Sequence, residues 1–216
     1  PPLVREVLEE MLETALDQVP SLDGAVHVCL DVSGSMSSAL TGARQGATSK
    51  LSCIDAAALI AAAVLRRNPQ ARVLPFAEEV RPVTLLPEAA LPENSRRLSA
   101  LLGGGTSCSA PLAQLNRQGA RGDLVFYISD DQSWIDVARS RVTATAEEWA
   151  RFKQRNPQAR LVCLNLQPYG TVQASGSPDI LNLGGFSDHV FRMVADFLRG
   201  EKSEDLLVSR IESVVL

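Results

Sequence analysis

Three short runs, residues 25–30 (Ala-Val-His-Val-Cys-Leu), 124–128 (Leu-Val-Phe-Tyr-Ile) and 160–166, constrain the fold more than any other feature of the chain. Each has strand length and is followed at once by polar residues, the pattern of a strand covered on both faces. Helical periodicity fills the intervals between them. Val4, Val7, Leu8, Met11, Leu12, Ala15, Leu16 and Val19 fall on one face, which predicts a leading amphipathic helix stopped by Pro20. The segment 53–67 is apolar nearly all round and predicts a helix packed against the sheet. Residues 96–102, 110–117 (with Pro111 in the first turn), 146–155 and 186–199, closed by Gly200, predict four further helices. Two short β-type runs, 72–76 and 80–85, flank Ala77-Glu78-Glu79 and predict a hairpin. Residues 180–183 form a weaker strand, and 41–49 is a polar, glycine-containing loop.

Strands alternating with helices through short loops predict an α/β domain, a mostly parallel central sheet flanked by helices. The expected layout is a leading helix at 1–20, the domain at 21–200, and a tail at 201–216 that ends in an apolar run with no clear partner. With 216 residues, 45% of them hydrophobic, the chain can bury a full single-domain core. It carries no initiator Met and opens directly on a helix, the pattern expected of a piece of a longer protein.

Charge and residue usage narrow the chemistry. A net charge of −4 lacks the basic excess of a domain whose main work is gripping nucleic-acid backbone. Arg66-Arg67, Arg96-Arg97 and the trio Arg151, Lys153 and Arg155 read as solvated helix faces. Two histidines, His27 and His189, cannot build a His-rich transition-metal site. The cysteines, Cys29, Cys53, Cys108 and Cys163, include no C-x-x-C pair and read as buried free thiols of a reducing cytoplasm. No apolar segment is long enough to cross a membrane, and the first residues do not form a signal peptide.

In parallel sheets ligands sit beyond the carboxyl ends of the strands. The loop after the first strand supplies Asp31, Ser33 and Ser35 at alternate positions, with Gly34 permitting the tight turn. The glycine-rich turn Gly103-Gly104-Gly105 supplies Thr106, with Ser107 beside it. The end of the second buried strand supplies Asp130, with Asp131 as a competing acid. These are hydroxyls and carboxylates only, the donor set of a hard divalent cation such as Mg2+. Neutral hydroxyls quench little of the ion's charge, so the site would seek a further anionic oxygen, for instance an Asp or Glu of a protein partner. The plain alternative is that Asp31 caps the turn and the serines merely shape it.

Catalytic readings fail on specific residues. An aspartyl nucleophile of the haloacid-dehalogenase type wants a second Asp two positions after the first, where this chain has Ser33. No G-x-S-x-G elbow surrounds Ser35, and Thr106 follows the three glycines without the Gly-Lys-Ser/Thr element of a P-loop. His189 pairs with no nucleophile and reads as a helix-start residue.

Asp31-Val32-Ser33-Gly34-Ser35, Thr106 and Asp130, in that order, resemble the metal-ion-dependent adhesion site of von Willebrand factor A domains. The resemblance implies that Ser33 and Ser35 bind the metal directly, and Thr106 directly or through water. It implies that Asp31 and Asp130 act mainly through water or through hydrogen bonds to the ligands. The strings 104–112 (Gly-Gly-Thr-Ser-Cys-Ser-Ala-Pro-Leu) and 128–131 (Ile-Ser-Asp-Asp) are similar to the A domain of the Ro autoantigen (TROVE) proteins, particularly bacterial ones. That family commonly carries Asp after the Thr; here Ser107 removes one negative charge. The resemblance implies a non-enzymatic interaction module of an RNA-binding, Y RNA-associated quality-control protein. Its RNA-binding ring of helical repeats is absent from this chain, so weak or no RNA binding is expected of the fragment. The alternative is an A domain of a metal-chelatase or AAA+ ATPase accessory subunit.

Overall fold

The computed structural model describes residues 16, 19–22, 24–40, 51–130, 144–167, 177–185 and 189–200. Most of the leading helix, the 41–49 loop, Asp131, residues 186–188 and the 201–216 tail lie outside the described residues; Leu16 and Val19 are described and buried. The described elements run β1 (Val26–Asp31), a 3-10 turn (Gly34–Ser37), α1 (Cys53–Arg67), β2 (Arg72–Phe76), α2 (Leu91–Ser99), α3 (Ala110–Arg117), β3 (Leu124–Ser129), α4 (Ala144–Arg155), β4 (Arg160–Asn165), β5 (Ile180–Gly184) and α5 (His189–Arg199).

All five strands are parallel and pair in the order β2-β1-β3-β4-β5. This is the expected α/β architecture. The chain moves from β1 outward to β2, then crosses back to place β3 on the other side of β1. The crest between β1 and β3 is therefore the switch point of the sheet.

Alternate residues of each strand feed two cores, as the period-2 geometry of a strand requires. Val26, Val28 and Leu30 of β1 and Leu124, Phe126 and Ile128 of β3 face one way, against α1, α2 and α5. Cys29, Val125 and Tyr127 face the other way, against Leu112 and Leu115 of α3 and Trp149 and Phe152 of α4. Because both faces are covered, the strands carry apolar residues at consecutive positions, which is why they were legible as runs.

Helix α1 lies close on the sheet because six of its residues are alanine, all buried. Its start is fixed by a capping box: the Asp55 N–H donates to Ser52 Oγ (3.3 Å), and the Ser52 N–H donates to Asp55 Oδ2 (3.2 Å). The cysteines are free thiols, with Cys29, Cys53 and Cys163 buried and Cys108 half-buried.

Two expectations are corrected. Strand β2 does not form a hairpin with residues 80–85; the return is a single antiparallel bridge, Phe76 with Val80. Pro82 has no N–H to extend the ladder, and Arg81 turns its guanidinium to the carbonyls of Leu101 and Gly103. Helix α2 begins at Leu91 rather than 96, with Pro92 in its first turn, where a missing N–H costs nothing. Its Asn94 side chain bonds both backbone groups of Leu86 (3.2 and 2.7 Å), so the helix start is tied to the preceding loop.

His27 is the one polar side chain of β1 ahead of its terminal Asp31. Its Nε2 donates to the Arg121 carbonyl (2.7 Å), and Phe152 meets its ring edge-on at 6.3 Å, while Nδ1 is buried with no hydrogen-bond partner among the described residues. Gly122 is forced by this packing, since a Cβ there would sit 2.7 Å from Phe152 Cζ and 2.8 Å from His27 Cδ2. Burial holds the His27 pKa below its ordinary 6.5; the hydrogen bond to the Arg121 carbonyl opposes this, the Arg72 charge adds to it, and Asp123 acts least, upward. The ring is thus neutral in the folded chain and titrates at higher pH when unfolded. Its stabilising contribution is present above pH 6.5 and is lost as pH falls through the folded-state pKa. The melting temperature should therefore fall on going from neutral pH into this acid window, and less steeply in His27→Gln, which keeps an N–H donor. Equal slopes for the two proteins in thermal melts would contradict this assignment. In the opposite core, Phe126→Ala should lower the unfolding free energy by about 3 to 5 kcal/mol in urea melts, as for other large buried aromatics. A loss well under 1 kcal/mol would show that β3 is not the central packed strand.

Candidate metal centre

Because β1 and β3 are adjacent and parallel, their carboxyl ends deliver Asp31 and Asp130 to the same crest. Asp31 is the last residue of β1 and is fully buried. Its Oδ1 accepts the Ser33 N–H (2.8 Å), which bends the chain sharply out of the strand. Its Oδ2 accepts the Ser129 hydroxyl of β3 (2.8 Å). The Ser33 and Ser35 hydroxyl oxygens lie 3.2 Å apart, and the Ser35 hydroxyl donates to Asp130 Oδ1 (3.1 Å). Ser129, Asp31, Ser33, Ser35 and Asp130 are thereby joined across two strands. Ser33 is buried and Ser35 is exposed, so the cluster opens to solvent on one side. Met36, fully buried in the 3-10 turn, anchors the loop from below.

A second loop is stitched to the first. The Gly34 N–H donates to the Gly104 carbonyl (3.0 Å), and the Gly103 N–H donates to the Val32 carbonyl (2.8 Å). Gly103 and Gly104 take φ of +139° and +84°, which side-chain-bearing residues rarely adopt. Thr106 is held from both sides: Gly105 N–H donates to Glu78 Oε1 (2.8 Å), and Ser107 N–H donates to the Ala77 carbonyl (2.7 Å). Arg81 completes this clamp by donating to the Gly103 carbonyl (2.8 Å). Thr106 itself is exposed, and its side chain stands outside the hydrogen-bonded chain of serines and aspartates.

Of the sequence-predicted residues, Asp31, Ser33, Ser35 and Asp130 come together by direct hydrogen bonds, and Thr106 arrives on a loop bonded to theirs. Sequence reasoning missed Ser129, Glu78 and Arg81. Ser129 was visible only as the residue before Asp130; its bond to Asp31 spans 98 positions. Glu78 and Arg81 carry no local signal, because their partners lie across the crest. His189 is exposed at the start of α5.

The donor set is made of oxygens. Among the described residues, no three His, Cys, Asp or Glu side chains gather as a metal cluster. Cys53, at the start of α1, lies close enough to feel Asp130, but it is no thiolate donor. Burial, and secondarily the Asp130 charge, pushes its pKa up to about 11. Two carboxylates in a buried corner repel each other, and a hard cation is the species that relieves this while accepting hydroxyl lone pairs. The residues present fit such an ion.

Residues 26–198 match the Ro60 vWA domain family. The chain is similar to the RNA-binding protein RO60 of Deinococcus radiodurans, with 26% identity over 200 residues, which is 93% of this chain and 36% of that protein. It also resembles the crystal structure of the Deinococcus radiodurans RO (RSR) protein. There the TM-score is 0.71 at 23% identity, covering 93% of this chain and 39% of that one, a likeness of fold. The chain therefore spans under two-fifths of the length of these relatives. With a von Willebrand A-type sheet, its acids and hydroxyls at the switch point, and a family match over most of its length, this chain belongs to the Ro60 vWA domain family.

Proposed function

We propose that the chain is a non-enzymatic, metal-dependent protein-interaction module of a Ro-like RNA-binding protein of the cytoplasm. The observation that carries this reading is the continuous hydrogen-bonded set Asp31–Ser33–Ser35–Asp130 at the β1/β3 crest, open on the Ser35 side. Ser33 and Ser35 would hold Mg2+ through their hydroxyls, with Thr106 directly or through water. Asp31 and Asp130 would hold those ligands and the ion's waters. When bound, the ion supplies a concentrated positive charge that captures an Asp or Glu carboxylate of a protein partner. Ser129 fixes the Asp31 carboxylate, and Glu78 and Arg81 fix the loop carrying Thr106. Small non-coding, Y-like RNA belongs to the rest of the full-length protein in this reading. That the similar Deinococcus radiodurans protein is RNA-binding supports that assignment.

Calorimetric titration of the chain with Mg2+ tests the site. Asp130→Asn and Ser33→Ala should each weaken binding by about 10- to 100-fold, the range found when groups that hold or orient metal ligands are removed. In EDTA, Asp130→Asn should melt no lower than the parent, because it removes one of two like charges. Undiminished affinity in both variants would contradict the ligand set. Ser107→Asp, which adds a carboxylate beside Thr106, should tighten Mg2+ binding several-fold; unchanged or weaker binding would remove that position from the ion's surroundings. Ser129→Ala should cost about 1 to 3 kcal/mol of stability by taking a donor from a buried carboxylate. A neutral effect in chemical denaturation would show that Asp31 is held by other groups.

A further inference from the structure

The strand amino ends, opposite the Asp31 crest, gather arginines from segments far apart in sequence. Arg72 opens β2, Arg117 ends α3, Arg121 precedes β3 and Arg155 ends α4. Helices that return between parallel strands run antiparallel to them, so all four arginines come to one end of the domain. The contacts agree with this placement. Arg72 donates to Gln118 Oε1 (2.8 Å) and Arg155 donates to Asn116 Oδ1, so both reach the last turn of α3, where Arg117 sits. Arg121 offers its carbonyl to His27, the direct cross-strand partner of Arg72.

All four side chains are exposed, and among the described residues none pairs with a carboxylate. The acids nearby are already engaged. Glu148 bonds Asn116 and Arg151, Asp179 pairs with Lys153, and Asp123 accepts the Ala25 N–H. Two of the arginines, Arg117 and Arg155, offset the negative ends of their helices. Arg72 and Arg121 have no such role, so helix capping does not account for the cluster.

We propose that this arginine-lined end contacts the phosphate backbone of RNA, weakly and without sequence preference. Guanidinium forks match phosphate oxygens bidentately, and a phosphodiester chain presents one such charge per nucleotide. A protein partner would normally want an apolar or aromatic centre to its contact. The exposed large hydrophobic residues among those described are Leu51, Leu86 and Leu102, which flank α1 and α2 and lie on none of the elements carrying the four arginines. Among the described residues no Phe, Tyr or Trp side chain is exposed either, which leaves no base-stacking platform there, so backbone charge is what this end can read. This goes beyond the reading above, which assigns the domain's own contact to the metal crest at the other end.

The test is fluorescence anisotropy with a labelled 20-nucleotide oligouridine, titrated with the chain in EDTA at several salt concentrations. Four phosphate contacts on a single strand predict a log–log salt slope near −3, a loss of roughly fiftyfold between 50 and 200 mM salt. Replacing Arg72, Arg117, Arg121 and Arg155 with Gln should weaken binding at low salt by at least about tenfold and flatten the slope. The double variant Arg117→Gln/Arg121→Gln touches no side-chain hydrogen bond among the described residues, and it should flatten the slope by about half as much. A control with the same charge change as that double variant, Arg96→Gln/Arg192→Gln on α2 and α5, should bind like the parent. Absent binding, equal loss in the control, or equal salt-sensitive binding of a 20-residue polyglutamate would overturn the proposal, the last in favour of an acidic protein partner. Mg2+ affinity at the crest, measured on the same variants, should be unchanged. The two readings therefore fail separately.

Discussion

The buried carboxylate of Asp31 is the constraint on which the functional end of the molecule depends. A charge taken out of water at the end of a strand must be held by donors, and two of them stand out among the described residues. The Ser33 N–H turns the chain, and the Ser129 hydroxyl reaches across from the neighbouring strand. One group thereby sets the exit angle of the β1 loop and locks it to the end of β3. The remaining geometry follows: the turn presents Ser33 and Ser35 side by side, and Ser35 meets Asp130 one residue beyond Ser129. The glycine loop is then docked by backbone bonds to Val32 and Gly34, so Thr106 is delivered by loops that are themselves already fixed.

Much of this was legible in the sequence, for a physical reason. Strands covered on both faces must be apolar at consecutive positions, so β1, β3 and β4 stood out, and the rule that ligands gather at strand carboxyl ends pointed to Asp31 and Asp130. The 80–85 run was misread because its apolar residues suit a strand, while the outcome was decided by Pro82 and by Arg81 choosing distant carbonyls. The start of α2 was missed because the segment from Leu91 has little apolar periodicity; it is held instead by Pro92 and by Asn94 bonding back to Leu86. Ser129, Glu78 and Arg81 were invisible for a different reason. Their roles exist only once strands and loops from distant parts of the chain are adjacent.

The same topology separates two kinds of charge. Parallel strands send acids and hydroxyls to the carboxyl end, where loops can shape a small cavity for an ion. The returning helices end at the opposite edge, where arginines accumulate. A net charge of −4 conceals this polarity. The neutral, buried His27 lies beneath the basic end, so acidification should weaken the fold on that side.

The central claim is that the crest binds a hard cation through serine hydroxyls. A crystal structure of the chain grown with Mg2+ tests it most directly. The account predicts an ion about 2.1 Å from the Oγ atoms of both Ser33 and Ser35, with Asp31 keeping its bond to Ser129. A well-ordered crest with water in that position, or an ion bound directly by the carboxylates and not by the serines, would contradict it.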